Sequence, residues 1–172
     1  MLGVSVMAIN VPKEYEVPLY LFHQGKNAEA YKLFGSHFAE KDGVSGVVFR
    51  VWAPKAADVS VVGDFNHWNR EESYMKKISD GGIWELFIPG LKKFDNYKYS
   101  IKTERGQIKL KADPYGYHME TRPNTASKVY DISGYNWKDS KWMDEKKTKD
   151  VYRSPMNIYE VHLNSWFTKT DE

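Results

Sequence analysis

Residues 59–69 read VSVVGDFNHWN, a strand-like run followed directly by a glycine-led turn. Valine-rich runs favour β-strands, and Gly, Asp and Asn are typical turn residues. The turn carries the indole of Trp68 close to the amide of Asn66. An aromatic ring beside short polar side chains suits a sugar, which has an apolar C–H face and a rim of hydroxyls. An ordinary β-turn whose Trp packs into the core uses the same residues, so both interpretations stay open at this point.

Short strand patterns continue on both sides of this turn and are separated by Gly, Pro, Asp and Asn. Strands are predicted at residues 47–53, 58–65, 83–88, 97–102, 107–111 and 128–132. The clearest hairpin turns at TERG, residues 103–106. The two-residue period directs Tyr97 and Tyr99 to the core and Lys98 to solvent, and Trp84 is predicted to lie in the core or at a domain interface rather than to be a ligand plate. Short strands at this spacing within about 90 residues, without strand–helix alternation, predict a mainly β chain built as an antiparallel, immunoglobulin-like β-sandwich.

The two ends of the sequence depart from this pattern. Asn27 before Ala28–Phe34, with glycine after it, predicts a short helix, and residues 19–25 predict a single helical turn. A stretch rich in lysine and acidic residues indicates a solvated connector, and the apolar run Ser154–Leu163 has strand character. The predicted organisation is an N-terminal segment with short helices at 1–43, the sandwich at 44–132, a linker at 133–155 and the first strand of a further domain at 156–172.

Composition and charge exclude several classes of partner. The 25 Lys and Arg residues against 23 Asp and Glu give a net charge of +2, and the basic residues are spread along the chain, which argues against nucleic-acid binding. No apolar run approaches the roughly 18 residues needed to span a bilayer, so no membrane association is predicted. The absence of cysteine removes disulfide and thiolate chemistry and fits a reducing compartment, so a cytoplasmic location is predicted.

Motifs for chemistry are not found. The five histidines have no metal-ligand spacing, and no phosphate-binding or dinucleotide-binding glycine pattern occurs. Carboxylates that could form a glycosidase pair, such as Asp64 or Glu71 with Glu72, lie in turns where a solvated charge is the usual role. The sequence therefore predicts no catalytic residue, no metal and no cofactor.

Eight segments taken together resemble one family. They are YLFHQG at 20–25 with Ala30-Tyr31, FRVWAP at 49–54, the run from Val59 to Trp68, GIWELFIPG at 82–90, YKY at 97–99, KADPY at 111–115, RPNTAS at 122–127 and IYEVHL at 158–163. In this order and spacing they resemble the N-terminal part of bacterial 1,4-α-glucan (glycogen) branching enzymes. The resemblance extends from Leu19 to Trp166.

This resemblance implies a fold and a function. Residues 44–132 would be a family 48 carbohydrate-binding module, and Asn157–Trp166 would open the (β/α)8 barrel of a glycoside hydrolase family 13 enzyme. The implied partners are that barrel and α-1,4-glucans such as glycogen, amylose and amylopectin. The family transfers α-1,4-glucan segments to form α-1,6 branches, and its catalytic carboxylates would lie outside this sequence. The 172-residue chain alone is therefore expected to be inactive.

The resemblance also implies glycan-binding residues. In glycogen-sensing relatives the Trp of the turn stacks on glucose, and that position matches Trp68. The predicted contacts are Asn66, Trp68, Lys98 and Asn124. Those relatives carry a second Trp after the hairpin turn, where this sequence has Ile108.

Other functions stay open on the sequence alone. The chain would also suit a free-standing glycogen-binding regulatory module, or a purely structural sandwich that orients a barrel. Debranching and trehalose-forming relatives share the module, so the residues do not decide between branching and those activities.

Overall fold

Nine β-strands and two α-helices lie within residues 11–162, the part of the chain that the structure, a computed structural model, describes. The elements are α1 (Lys13–His23), β1 (Gly35–Lys41), β2 (Val44–Trp52), β3 (Ala56–Gly63), β4 (Lys76–Ser79), β5 (Ile83–Pro89), β6 (Asn96–Thr103), β7 (Ile108–Lys111), β8 (His118–Met119), β9 (Ser127–Lys128) and α2 (Ser140–Thr148). The chain divides into two units, with the boundary between Ser133 and Gly134.

The strands of the first unit form two antiparallel sheets. The first sheet has the order β1-β2-β5-β4, and the second has the order β3-β6-β9-β8 with β7 also paired to β6. Their inner faces enclose one apolar core because alternate residues of each strand point inward. That core consists of Val47, Phe49, Val51, Val59, Val61, Met75, Trp84, Leu91, Tyr97, Tyr99 and Val129. The predicted mainly β sandwich is confirmed, as are the core positions of Trp84, Tyr97 and Tyr99.

The N-terminal segment corrects the prediction for residues 1–43. Its last part is not helical: β1 pairs with β2 along its whole length, from Gly35↔Arg50 to Lys41↔Val44. The two strands are joined through Asp42 and Gly43, whose φ angles are +53° and +76°. An Asp-Gly pair with both φ angles positive is the preferred two-residue hairpin turn, so the sandwich begins at Gly35.

The helices of this segment also differ from the prediction. The single turn predicted at 19–25 is the end of the 11-residue helix α1, and the predicted helix Ala28–Phe34 is only a 3₁₀ turn at Ala30–Lys32. The helix α1 forms despite Pro18 because its apolar side packs over the first sheet. The resulting outer cluster contains Leu19, Ala30, Leu33, Phe34 and Ile83.

Residues 134–162 form the described part of the second unit. The helix α2 lies inside the predicted linker, and every residue in it is solvent-accessible. Residues 154–162 contain no strand, and residues 163–172 of the predicted barrel strand lie outside the described residues. That strand therefore stays a prediction. Among residues 11–162, no helix has both the length and the apolarity that crossing a membrane requires.

Candidate functional site

The turn after β3 is held in a fixed conformation by its backbone. A 3₁₀ turn at Asp64–Asn66 leads to His67 and Trp68, whose φ angles are +50° and +61°. The Trp68 N–H donates to the Gly63 carbonyl at 2.9 Å. Glycine is needed at position 63 because a Cβ there would collide with the Asn96 carbonyl and the Phe65 ring. The turn therefore closes tightly against β6 and turns Trp68 away from the core.

Asn66 holds this turn from inside, which corrects its prediction as a glycan contact. Asn66 is only 3% exposed. The amide oxygen accepts from the Gly63 N–H at 2.9 Å, while Nδ2 donates to the Val61 carbonyl at 3.0 Å and to Ser73 Oγ at 3.1 Å. A glycan hydroxyl cannot reach an amide buried and bonded in this way. Asn66 is a structural residue of the site.

Replacing Asn66 by alanine is expected to lower the free energy of unfolding by about 2 kcal/mol, because buried backbone groups lose their partners. Urea unfolding of parent and variant measures this difference. The exposed Asn124→Ala change is the matched control and is expected to cost less than about 0.5 kcal/mol. Equal costs for the two changes would show that the turn does not depend on the buried amide.

Trp68 presents its ring at the surface. The residue is 39% exposed, and its indole N–H donates to Asp64 Oδ1 at 2.9 Å. Because that hydrogen bond fixes the indole edge, the ring itself is left as an apolar plate. Within the described part of the chain, Trp68 therefore does not pack into the core as the alternative interpretation required. A plate of this kind can stack on the C–H face of a sugar.

A row of polar groups continues from Trp68 across the outer face of the second sheet. The second Asp64 oxygen accepts from Asn96 Nδ2 at 2.8 Å, and Asn96 Oδ1 accepts from Lys128 Nζ at 2.7 Å. Asn96 and Lys98 lie two residues apart on β6 and so share this outer face. We call Asp64, Asn96, Lys98 and Lys128 the polar strip. It places hydrogen-bonding groups directly beside the Trp68 ring, as hydroxyl recognition requires.

The other two predicted contacts are Lys98, a member of this strip, and Asn124. Lys98 points outward, as predicted, and its Nζ donates to Thr125 Oγ1 at 2.8 Å. Asn124 is the exposed neighbour of Thr125, in a loop closed by the hydrogen bond from the Glu120 N–H to the Ala126 carbonyl. The structure therefore links Trp68 to the outer face through Asp64 and Asn96 and places Lys98 against Thr125 on that face. It separates Asn66 from them, while Asn124 stays a prediction.

The position after the hairpin turn lies on this same face. Ile108 and Leu110 on β7 pair with Lys102 and Ser100 of β6 and are 54% and 56% exposed. They offer aliphatic contact at a position where the glycogen-sensing relatives carry a ring. An aliphatic side chain has no π-face for stacking, so β7 adds no second aromatic plate to that of Trp68.

A buried carboxyl supports the sheet from the core side. Asp113 is 5% exposed and accepts from the Tyr97 hydroxyl at 2.6 Å, the Tyr99 hydroxyl at 3.1 Å and the Tyr115 N–H at 2.8 Å. Burial raises the pKa of Asp113, and the hydrogen bonds it accepts offset this only in part. Burial likewise raises the pKa of Tyr97 and of Tyr99, so both hydroxyls stay protonated and continue to donate.

Two clefts lie outside this face, and the described residues contain no cluster of metal-binding side chains. A cleft of about 340 Å³ lies beside α1, and one of about 300 Å³ lies within the second unit, around Trp142. Within the described residues, no three His, Asp or Glu side chains are grouped as a metal site would need. The candidate site is thus an open platform, which suits the side of a long chain better than a small enclosed molecule.

Comparison with known proteins agrees with this geometry. Residues 33–116 match the family model described as carbohydrate-binding module 48 (isoamylase N-terminal domain). Those residues are therefore similar to carbohydrate-binding module family 48. The match begins before β1, in agreement with a sandwich that starts at Gly35 rather than at residue 44.

Relatives extend the similarity beyond the family 48 module. The chain is 51% identical over 165 residues to the 1,4-alpha-glucan branching enzyme GlgB of Bacillus subtilis (strain 168), covering 96% of this chain and 26% of that protein. It is 49% identical over 150 residues to GlgB of Bacillus cereus (strain B4264), covering 87% and 23%. The predicted resemblance to branching enzymes is confirmed. The chain spans about a quarter of the length of these curated relatives.

A solved structure with a similar module is the ligand-free PulA of Klebsiella pneumoniae. It is 28% identical, has a TM-score of 0.48, and aligns with 62% of this chain and 10% of its own.

Four residues on or beside the candidate site were not predicted from the sequence to belong to it: Asp64, Asn96, Thr125 and Lys128. Asn96 lies two residues before Lys98 on the same strand, so the two-residue period that identified Lys98 could have identified it as well. Thr125 follows Asn124 directly. Asp64 and Lys128 had no such signal, because their roles depend on a hydrogen-bond chain between segments distant in sequence.

Proposed function

We propose that this chain is the N-terminal region of a 1,4-α-glucan branching enzyme and that its family 48 module binds and orients α-glucan. The observation that carries the binding role is the exposed Trp68 ring, fixed by Asp64 at the start of the polar strip. A glucan would stack on the ring, and its hydroxyls would bond to Lys98 and to the exposed Asn124. The net charge of +2 is compatible with a neutral polymer such as glycogen, amylose or amylopectin.

The proposed activity of the whole enzyme is retaining transglycosylation. A carboxylate takes an α-1,4-linked segment as a covalent intermediate, and the C6 hydroxyl of an acceptor glucan then replaces water as the nucleophile. The module's part would be to hold a glucan near the proposed (β/α)8 barrel of the same polypeptide. Branching assays on the 172-residue chain are expected to show no α-1,6 linkage formation. The predicted cytoplasmic location remains part of this proposal.

A purely structural sandwich is the second candidate, and two observations favour it. Lys98 is already bonded to Thr125, and Ile108 occupies the position of a second ring. In that case the module would orient a barrel, of a branching or a debranching enzyme, without glucan affinity.

Replacing Trp68 by alanine separates these functions. We expect glycogen or amylopectin to retard the parent chain in native gels, and the variant to bind about 3- to 10-fold more weakly, since one aromatic contact is lost. Trp137→Ala, which removes a Trp that is 72% exposed in the second unit, is the matched control and is expected to migrate as the parent does. A parent chain that is not retarded at all supports the structural role instead, whereas equal retardation of parent and Trp68→Ala would mean that glucan binds without Trp68.

A further inference from the structure

A second group of aromatic rings lies on the outer face of the second sheet. The ring centroids of Phe94 and His118 are 5.5 Å apart, those of Phe94 and Tyr130 are 5.5 Å apart, and those of His118 and Tyr130 are 5.1 Å apart. We call these three residues the aromatic cluster. Phe94 is 52% exposed, more than Trp68, and Lys93 Nζ lies 4.0 Å from the Tyr130 ring centroid. The cluster therefore has an apolar surface with a cation beside it.

The backbone holds Phe94 in this exposed position. Its φ angle is +78°, a region that bulky side chains rarely adopt. The conformation is fixed by two hydrogen bonds to the neighbouring segment, from the Phe94 N–H to the Val129 carbonyl at 2.8 Å and from the Val129 N–H to the Asp95 carbonyl at 2.9 Å. A non-glycine residue held in such a region is a reason to look for function there. A ring fixed in advance also loses little freedom when a ligand covers it.

Strand register connects the cluster to the polar strip. His118 on β8 pairs with Lys128 on β9, and Lys128 pairs with Asn96 on β6. The hydrogen bonds from Lys128 to Asn96 and from Asn96 to Asp64 then lead to the Trp68 indole. Phe94 precedes Asn96 by two residues and His118 lies two strands away from it, so the cluster lies beside the polar strip. The face thus carries one aromatic surface at each end and hydrogen-bonding groups between them.

We propose that the aromatic cluster is a second α-glucan contact, so that one glucan chain lies along the polar strip from Trp68 to Phe94. The inference rests on the proposed glucan-binding function and adds to it a preference for longer chains. The sugar nearest the cluster would stack on Phe94, and the amines of Lys93 and Lys128 would donate to its hydroxyls. Two separated plates in one line would favour long linear segments over short ones.

The chemistry of the cluster favours a sugar over a protein partner. Protein interfaces place charged residues at the rim and are depleted of lysine at their centres. Here Lys128 lies between the two aromatic surfaces, and Lys93 lies directly over one ring of the cluster. Apolar ring faces alternating with hydrogen-bond donors match the C–H faces and hydroxyls of a glucan.

The length dependence of binding tests this arrangement. Titrations with maltotriose and maltoheptaose compare the parent chain with Phe94→Asn, because asparagine tolerates a positive φ while the ring is removed. The variant is expected to bind maltoheptaose about 2- to 10-fold more weakly than the parent, with maltotriose affinity at Trp68 unchanged. Phe38→Ala, which removes an exposed ring from the first sheet, is the control and is expected to leave both affinities unchanged.

Aromatic NMR signals give a measurement that needs no change at Phe94. In the Trp68→Ala chain, maltoheptaose is expected to shift the ring signals of Phe94, His118 and Tyr130. If maltoheptaose binds the parent through Trp68 but shifts none of these three rings, the second contact is wrong while the proposed function stands, and a protein partner becomes the better occupant. If no glucan binds the parent at all, the proposed function fails, and this inference fails with it.

Discussion

Replacing Arg50 by alanine is expected to lower the free energy of unfolding by about 3 kcal/mol, because one partner of a buried ion pair is removed. Arg50 is 7% exposed on the outer face of the first sheet and is bonded to Glu85 of β5. Its Nη2 also donates to the Tyr15 hydroxyl at 2.6 Å, and its Nη1 donates to the Leu33 carbonyl at 3.3 Å. One guanidinium thus joins the sheet, α1 and the turn before β1. The expected cost is at the low end for buried pairs because the Glu85 carboxylate is partly exposed and stays solvated.

Urea unfolding followed by tryptophan fluorescence measures the Arg50 effect. The exposed pair of Lys32 with Glu29 provides the matched control, and Lys32→Ala is expected to leave the free energy of unfolding nearly unchanged because solvent screens this pair. Tyr15→Phe removes only the hydroxyl contact and is expected to cost about 1 kcal/mol. If Arg50→Ala costs no more than Lys32→Ala, α1 is not anchored through this guanidinium.

Arg50 also shows why local sequence patterns could not predict every buried side chain. The two-residue period of β2 places Val47, Phe49 and Val51 on the inner face, and the structure confirms this. The same period places Arg50 outward, which by itself predicts a solvated side chain. Its burial depends on α1, an element distant in sequence whose packing no local pattern shows. Tertiary packing also decided the length of α1, although local propensity and Pro18 had favoured a single turn.

The start of the sandwich was predictable but was missed. Asp42-Gly43 is a strong hairpin signal, and it lies between the segments that became β1 and β2. By contrast, β8 and β9 have two residues each, too few to show any period. The aromatic cluster needs both strands to bring His118 beside Tyr130. Sequence patterns could therefore locate Trp68 and Lys98 on the face but could not extend it to Phe94.

Asn66 and Trp68 show how one motif serves two purposes. Both belong to the turn that suggested a sugar plate, yet the buried amide of Asn66 holds the turn and Trp68 alone carries the exposed ring. The residue types were those expected of a binding site, but composition could not separate the supporting residue from the contact. The same division holds across the sheet, where outward Lys98 lies on the platform and inward Tyr97 and Tyr99 bond to Asp113 beneath it.

Replacing Asp113 by alanine is expected to lower the free energy of unfolding by about 3 kcal/mol, because two buried hydroxyls and one backbone N–H lose their common acceptor. Water cannot replace Asp113 as the acceptor for the Tyr97 and Tyr99 hydroxyls, since both residues are fully buried. The backbone N–H of Asp113 donates to Ser127 Oγ at 2.8 Å, and alanine keeps that bond, so the expected cost comes from the lost carboxyl alone. Urea unfolding measures the cost, with the exposed Asp80→Ala as control, which is expected to leave the free energy of unfolding nearly unchanged.

The pH dependence of this cost separates burial of the carboxyl from simple loss of contacts. Burial raises the folded-state pKa of Asp113 above the ordinary value of 3.8, so its stabilising contribution is complete below that value and declines as the pH rises through the folded-state pKa. Asp113→Asn keeps an acceptor for the Tyr115 N–H but cannot ionise. The free energy by which the parent exceeds this variant should therefore be largest near pH 3.5 and should decrease as the pH rises above about 4, reaching a plateau once the carboxyl is ionised. A difference that instead grows with pH would mean that hydrogen bonds from Tyr97 and Tyr99 outweigh desolvation and that the carboxylate, not the carboxylic acid, is the form that the core prefers.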